Sequence, residues 1–411
     1  FVLQTHTYLF PKPRISMAFK LVVGNGLVFA EGEEHKQQRK LLAPAFAYSH
    51  IKRFLPIFVQ KTAKVLTKFD SLVEGGPTVF EIFPYFSRVT LDAIGEAAFG
   101  VDLSSVDDED SELVRAYNII ATSGDQHALF YANAFVPFFK DIPIKYNRDI
   151  KNARKIFRQT CKKVLQQHQE ESRREKEMLA KSEDTVQKNR DILSLMLSGG
   201  EWTVDQIENQ IMTFLFAGHE TTAGSLSWSL LQLAKSQDVQ EKLRTEVRKS
   251  FPGGFSDIQS AEQIESLKYL NNVANECFRF LPPVITTARE ASEDIVFEGE
   301  TIVKGTMLHI AIKAMCLNKK YWGEDADEFK PDRWNGQHAE NAYANITFLQ
   351  GTRSCIGRRF AELEFKAMLA SFVGRYKFEE SVPNQPSKME FVVTVRPLDG
   401  IPLKVSRVEG W

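Results

Sequence analysis

The sequence predicts a mainly helical fold with small antiparallel sheets, an α+β class. Most segments place apolar side chains three and four residues apart, which indicates amphipathic helices. Strand-like alternation is confined to short stretches at residues 295–303, 307–312 and 391–405. Hydrophobic residues make up 43% and charged residues 26% of the 411 residues, a composition that excludes a disordered or collagen-like chain.

Helical periodicity also predicts where the main helices lie. The longest begins with a capping box formed by Thr203 and Gln206, and Pro282-Pro283 ends the last one before the strands. The polar stretch 179–190 is expected to be a loop, and Asp399-Gly400 signals a hairpin in the final strand region. The expected helices are residues 51–72, 85–99, 150 to beyond 173, 203–236, 262–280 and 361–373.

Charge, apolar runs and cysteines exclude several classes of protein. Lys and Arg number 52 and Asp and Glu 53, so no strong overall field draws the chain onto nucleic acid. No apolar stretch reaches the roughly 18 to 20 residues that span a bilayer. The four cysteines are far apart and form no C-x-x-C pair, which disfavours a zinc ribbon or a disulfide framework and suits a reducing compartment.

The run from Phe348 to Ala361 carries the clearest chemical signal. It is a loop punctuated by Gly351 and Gly357, with Cys355 placed just before a helical pattern. Free backbone N–H groups and the helix dipole favour the thiolate form of such a cysteine, which is then a nucleophile or a metal ligand. A lone cysteine is more often a buried structural one. The glycines, Arg353 and the phenylalanine at these spacings favour a ligand.

This run resembles the haem-binding loop of the cytochrome P-450 family of haem-thiolate monooxygenases. The resemblance implies that Cys355 is the axial ligand of haem iron, whose thiolate favours O–O cleavage. It implies that Phe348 packs beside the sulfur, that Gly357 lets the backbone approach closely, and that Arg353 faces a haem propionate. The family fold is a triangular helical prism around haem. We therefore expect one domain over residues 1–411.

A second motif, Ala217-Gly218-His219-Glu220-Thr221-Thr222, lies midway along the longest expected helix. Gly and adjacent Thr residues are costly inside a helix, and threonine hydroxyls can bond back to carbonyls and open a local gap. In the family an acid–alcohol pair at this place delivers protons during oxygen activation. The resemblance implies that Glu220 and Thr221 are that catalytic pair. A small-residue packing notch is the alternative.

Two further motifs match the family, the second one imperfectly. Glu276 and Arg279, with Arg333 in a Phe-x-Pro-x-Arg run, would form a structural cluster behind the haem; a surface salt bridge is the alternative. The family usually has Trp four residues before an Arg that contacts a propionate. Here Arg39 matches and His35 replaces the Trp, although His can still donate a hydrogen bond. A solvated helix face is the alternative.

The resemblance implies a monooxygenase that binds haem b, activates O2 and oxidises a hydrophobic small molecule. Arg289 matches a further propionate contact. We expect NADPH to supply electrons through a separate flavoprotein reductase, since the chain has no flavin or dinucleotide motif, with cytochrome b5 as a second candidate donor. Arg358 and Arg359 are candidates for docking an acidic partner.

Two alternatives stay open. A haem-thiolate isomerase or dehydratase would use no reductase, but the presence of Glu220 and Thr221 disfavours it. A haem-binding relative without turnover is the second alternative.

The sub-class and the location are expectations of the same kind. The pattern around Asn318, Trp322 and the Phe-x-Pro-x-Arg-Trp run looks most like eukaryotic, particularly fungal, microsomal members. Such members begin with an anchor helix, a first helix and first sheet strands, whereas this chain starts at Phe1. We expect it to be truncated at its N-terminus. We expect the full-length protein to lie on the cytosolic face of the endoplasmic reticulum membrane.

Overall fold

The computed structural model describes residues 1–13, 16–108, 111–121, 127–136, 138–179, 191–336, 343–385, 388–391 and 393–411. The α-helices are Ser16–Val23 (α1), Gly32–Leu42 (α2), Tyr48–Ile51 (α3), Leu55–Val73 (α4), Phe83–Phe99 (α5), Glu112–Ala121 (α6), His127–Phe135 (α7), Lys145–Leu179 (α8), Ile192–Ser198 (α9), Val204–Lys235 (α10), Gln237–Ser250 (α11), Ala261–Ser266 (α12), Lys268–Phe280 (α13), Ile312–Cys316 (α14), Lys319–Trp322 (α15) and Arg358–Arg375 (α16). The strands are Thr78–Glu81 (β1), Thr287–Glu290 (β2), Ile295–Phe297 (β3), Glu300–Ile302 (β4), Met307–Ile310 (β5), Tyr376–Glu380 (β6), Met389–Phe391 (β7), Val395–Pro397 (β8) and Pro402–Arg407 (β9). The mainly helical α+β class is confirmed.

The chain divides into two compact units. The first unit contains residues 1–11, 48–93 and 218–411, and the second contains residues 12–47 and 94–217. The nine strands found among the described residues all belong to the first unit. Helix α10 begins in the second unit and ends in the first. The expectation of one domain over residues 1–411 stays a prediction.

The first unit is built around α16, which is buried on nearly all sides. Its residues from 362 to 374 are buried apart from Lys366, which places the helix in the core. Its Phe372 ring lies 5.3 Å from the ring of Phe69 in α4 and 4.9 Å from that of Phe86 in α5. Arg244 and Arg248 of α11 donate to the carbonyls of Val373 and Gly374, at 3.0 and 2.8 Å. These bonds satisfy carbonyls that the end of a helix leaves unpaired.

The sheets are small and antiparallel. The largest has the order β1-β9-β6, and the other three are the pairs β2-β5, β3-β4 and β7-β8. The expectation of a hairpin at Asp399-Gly400 is wrong. Gly400 has a φ of +75° and does form a turn, but that turn links β8 to β9, which lie in different sheets. The hairpin of this region is β7-β8.

Most expected helices are confirmed, with one clear difference. Residues 262–280 form two helices, because Leu267 is extended, with φ −75° and ψ 101°. The Glu246 carboxylate accepts the backbone N–H groups of Tyr269 and Leu270, both at 2.8 Å, and so caps the second helix. A carboxylate from a distant helix leaves no local signal in the sequence.

The second unit is helical. Its portion of α10 starts with the expected capping box, in which Thr203 and Gln206 exchange hydrogen bonds of 3.0 and 3.2 Å. Gln210 then accepts the N–H of Leu27 and donates to Gln38 of α2. The predicted loop lies outside the described residues from 180 to 190. Among the described helices, none is long and apolar enough to cross a membrane.

Candidate functional site

The loop that carries Cys355 is closed by its own backbone. The N–H of Cys355 donates to the carbonyl of Phe348 at 2.8 Å. Leu349 and Gly351 have positive φ angles of 56° and 74°, and a Cβ on Gly351 would lie 2.0 Å from the carbonyl oxygen of Leu3. Glycine is therefore required at position 351. The loop delivers Cys355 three residues before α16 begins.

The four cysteines differ in their environments. Cys355 is exposed, whereas Cys161, Cys277 and Cys316 are buried. Burial raises the pKa of Cys161 and of Cys277 to about 12, and it also raises the pKa of Cys316. The three buried cysteines are consequently neutral thiols at pH 7. Cys355 is the cysteine whose sulfur lies at an accessible surface.

Aromatic and cationic side chains surround this loop. The Phe348 ring lies 5.3 Å from the ring of Phe278. The Arg358 guanidinium lies 5.4 Å from the centroid of the Phe348 ring. The Arg353 guanidinium lies 5.5 Å from the ring of Tyr8. Gly357, the N-cap of α16, has a φ of −85° that any residue adopts, so backbone conformation does not require glycine there.

The Glu220–Thr221 segment lies inside an unbroken α10. The Thr222 hydroxyl bonds back to the carbonyl of Gly218 at 3.3 Å, as expected for a threonine in this run. From α5, the Thr90 hydroxyl donates to the carbonyl of His219 at 3.1 Å. Thr221 is half-buried, unlike Thr222, which is buried. The hydroxyls of Thr222 and Thr90 thus donate hydrogen bonds to backbone carbonyls of this turn, and the helix continues through it.

The Glu220 carboxylate is held by residues of the β7-β8 hairpin. Thr394 donates its hydroxyl to Glu220 Oε1 at 2.6 Å, and Arg396 donates its Nε to the same oxygen at 2.5 Å. Burial alone would raise the pKa of Glu220. The charge and hydrogen bond of Arg396, together with the Thr394 hydroxyl and His219, instead hold that pKa below its ordinary value. Glu220 is therefore ionised at pH 7.

The structure brings Glu276, Arg279 and Arg333 into one buried cluster. Glu276 and Arg279 have fully buried side chains and form a two-pronged pair, with Arg279 Nε and Nη2 each 2.8 Å from a carboxylate oxygen. Arg333 Nε donates to Glu276 at 3.0 Å. Glu276 also accepts the indole of Trp334 and the backbone N–H of Lys330, at 2.9 and 2.7 Å. The alternative, a salt bridge at the surface, is wrong because the Glu276 and Arg279 side chains are buried.

The other residues predicted to contact a propionate lie on strand β2 and helix α2. Arg289, on β2, is buried and donates to Thr287 Oγ1 and to the carbonyl of Ala288, at 3.0 and 2.7 Å. His35 and Arg39 lie one turn apart on α2, in the second unit. His35 is only 2% exposed and Arg39 is half-buried, so a fully solvated helix face is not what the structure shows.

Sequence reasoning missed several residues around these motifs. Arg396 and Thr394, which hold Glu220, and Tyr8, beside Arg353, carry no motif of their own. Glu364 of α16 was missed as well. Its side chain is completely buried, and burial raises its pKa well above the usual range. An acidic residue placed between Leu363 and Phe365 was the available signal.

The residues present fit a haem. Such a cofactor needs one thiolate ligand for its iron and cations for its two propionates. Cys355 supplies an exposed sulfur, and Arg353 lies in the same loop. Arg289 is a second cation, buried on β2. These donor types match the groups that a haem presents.

Comparisons with known proteins point to the same cofactor chemistry. A family model described as Cytochrome P-450 matches residues 2–403. The chain is 37% identical to cytochrome P-450 monooxygenase sphH of Aspergillus fumigatus, over 100% of this chain and 77% of that protein. It is 32% identical to cytochrome P-450 monooxygenase FUM15 of Gibberella moniliformis, over 92% of this chain and 72% of that protein. Both relatives are fungal proteins named as cytochrome P-450 monooxygenases. This chain belongs to the cytochrome P-450 family and is a haem-thiolate monooxygenase.

Proposed function

We propose that Cys355 is the axial ligand of the haem iron in this monooxygenase. The observation that carries the proposal is the exposed sulfur of Cys355, held by a closed loop directly before α16. The nearby helix N-terminus favours the thiolate. Phe348, whose ring lies close to the ring of Phe278 and to the Arg358 guanidinium, would pack beside the sulfur. Gly357 leaves room for close approach at the helix start.

Cationic side chains and one histidine hold the propionates in this proposal. Arg353 and Arg289 would pair with the carboxylates from the first unit. Arg39 would contribute from α2, and His35 would donate a hydrogen bond in place of the family's usual Trp. The i,i+4 spacing of His35 and Arg39 on one helix face supports a shared role.

When bound through a thiolate, haem supplies the electron-rich iron on which O2 is activated and its O–O bond cleaved. The chain's own part in this step is proton handling. Thr221 would present its hydroxyl at the site, and Glu220 would replace the proton that this hydroxyl gives up. The buried Glu276–Arg279–Arg333 cluster would keep α13 fixed to the segment that leads to Arg333.

Electrons would come from NADPH through a separate flavoprotein reductase, with cytochrome b5 as a second donor. Arg358 and Arg359, at the start of α16, are exposed and lie next to Cys355 in the chain. Both reach Glu362, at 2.7 and 3.5 Å. Their positive charges would steer an acidic partner to this face.

The substrate would be a hydrophobic small molecule drawn from a membrane, on the cytosolic face of the endoplasmic reticulum. Four large apolar side chains close together in sequence support contact with a membrane surface. Phe135, Val136, Phe138 and Ile142 are 55, 51, 81 and 46% exposed. Apolar groups exposed in this way can enter the headgroup region of a bilayer.

Labelled oxygen tests the proposed function. The haem-loaded protein is combined with the reductase, NADPH and 18O-labelled O2, using a hydrophobic compound that shifts the haem spin state. We expect one labelled oxygen atom in the product and no product without reductase. Product formed without reductase or O2 would indicate an isomerase or dehydratase. Haem binding and reduction without turnover of any spin-shifting compound would indicate a non-catalytic relative.

Changing Thr221 to Ala should uncouple electron use from product formation. Loss of the hydroxyl removes a proton carrier, and general acid catalysis of this kind contributes about a hundredfold or more to rate. We expect NADPH oxidation to continue, with product reduced and peroxide increased. The Thr160→Ala variant removes another helical threonine, which bonds to the carbonyl of Ile156, and is the matched control. Unchanged coupling in Thr221→Ala would refute the role.

A further inference from the structure

The strongest unassigned feature is the contact between α10 and the β7-β8 hairpin. Two side chains of the hairpin, Thr394 and Arg396, converge on one oxygen of Glu220. The Arg396 and Glu220 side chains are 17 and 12% exposed, so water screens their interaction only weakly. We call Glu220, Thr394 and Arg396 the carboxylate clamp.

The backbone between the two clamping side chains is fixed on both sides. The N–H of Val395 donates to the carbonyl of Pro283 at 2.8 Å. The carbonyl of Val395 accepts the indole N–H of Trp228, on α10, at 3.2 Å. Thr394 and Arg396 are therefore held by a hairpin that is itself tied to the helix that carries Glu220. Release of the carboxylate requires side chains to rotate, not the hairpin to leave.

Helix geometry sets the direction of that rotation. Consecutive residues of an α-helix point about 100° apart, since a turn takes about 3.6 residues. Side chains at positions i and i+1 accordingly do not face each other. While the Glu220 carboxylate is bonded to Arg396 and Thr394, it does not face Thr221. The Glu220 side chain must therefore rotate before it can transfer a proton to Thr221.

We infer that Arg396 and Thr394 are positioning residues that hold the Glu220 carboxylate against the hairpin, so that proton delivery to Thr221 requires Glu220 to leave the clamp. This inference rests on the proposed roles of Glu220 and Thr221. In the cycle, the carboxylate takes a proton from solvent water. The carboxyl O–H bond then breaks as Thr221 Oγ accepts that proton, while the Thr221 O–H bond breaks and its proton passes to the O2 that the proposed reaction reduces. Glu220 returns as a carboxylate to Arg396, so the clamp is restored without a net change in charge.

Removal of the Arg396 guanidinium tests the carboxylate clamp through the protonation of Glu220. Arg396 and Thr394 face Glu220 from the hairpin, and His219 lies beside it on α10. In Arg396→Met the dominant remaining influence is burial, which raises the pKa of Glu220. The carboxyl group should then be protonated near neutral pH. Infrared spectra of the haem-loaded protein should show a protonated carboxyl band that disappears in the Glu220→Gln, Arg396→Met double variant and is missing from the wild type.

The pH dependence of coupled product formation is a second measurement, and the direction of its change is predicted. Protonated Glu220 is the donor, so coupled product formation by Arg396→Met should fall about tenfold per pH unit above the raised pKa. In wild type the same decline should begin at lower pH, because Arg396 holds the pKa of Glu220 below its ordinary value. Arg396→Lys keeps the charge and should restore the wild-type infrared spectrum and pH profile. Thr394→Val removes one neutral hydrogen bond and should raise the pKa less, which also tests the clamp if Arg396→Met folds poorly.

Another buried ion pair provides the matched control. Arg375 pairs with Asp70, and its side chain is 15% exposed, close to the value for Arg396. Arg375→Met should leave the pH profile and the Glu220 band unchanged. If Arg396→Met and Thr394→Val both lack the protonated carboxyl band and keep the wild-type profile, the clamp is refuted. Wild-type coupling in Glu220→Gln would overturn the relay itself. Uncoupled Glu220→Gln with unaltered clamp variants would overturn only the clamp.

Discussion

Replacing Cys355 with Ala should abolish reductase-dependent product formation. The sulfur is the exposed one among the four cysteines, and it is presented by a loop whose backbone is closed between Phe348 and Cys355. Without it the iron would lose its thiolate and the electron density that favours O–O cleavage. The measurement is product formed per haem, with haem content determined separately. Any haem that still binds should have the spectrum of a different axial ligand.

A buried cysteine supplies the control for this variant. Cys161 lies in α8 and is fully buried, and burial raises its pKa to about 12. Cys161→Ala should keep the thiolate spectrum and product formation, because a neutral core thiol contributes only packing. If Cys161→Ala rather than Cys355→Ala removed the thiolate spectrum, the ligand assignment would be wrong.

Changing Glu276 to Gln should destabilise the protein by about 3–5 kcal/mol, the cost of leaving a buried charge without its partner. The carboxylate accepts both prongs of Arg279 and the Nε of Arg333, and the first pair is fully buried. The amide keeps the shape of the side chain but removes its charge. Arg279 would then be a buried cation without its counter-ion, and Arg333 would keep only Asp325 as an acidic partner.

Denaturant unfolding of the haem-loaded variants measures this effect. The control is Glu324→Gln, because Glu324 is 94% exposed and pairs with Lys319 at the surface. An exposed pair of this kind contributes about 0–1 kcal/mol. A Glu276→Gln protein as stable as Glu324→Gln would show that the cluster does not hold the structure together.

The sequence predicted those features whose interacting residues lie close together in the chain. The capping box at Thr203 and Gln206 starts α10, and the glycine-punctuated run before α16 is a closed loop with an exposed cysteine. Glu276 and Arg279 lie one turn apart on α13, and their pairing follows from helix geometry. In each case the partners are close in sequence or belong to one recognisable pattern.

Contacts between distant segments could not be predicted in this way. Thr394 and Arg396 are 174 and 176 residues from Glu220, and neither lies in a motif. The hairpin expected at Asp399-Gly400 is wrong because a turn signal does not reveal which strands pair. Leu267 breaks the predicted helix because Glu246 caps the next helix from α11. Tertiary structure decides these features.

We propose that this chain binds haem through the Cys355 thiolate. The most direct measurement is the absorption spectrum of the reduced, haem-loaded protein under carbon monoxide. We predict the red-shifted Soret band of thiolate-ligated haem in the wild-type protein and its loss in Cys355→Ala. A wild-type band at the position typical of histidine-ligated haem, or a thiolate band that persists in Cys355→Ala, would contradict the claim.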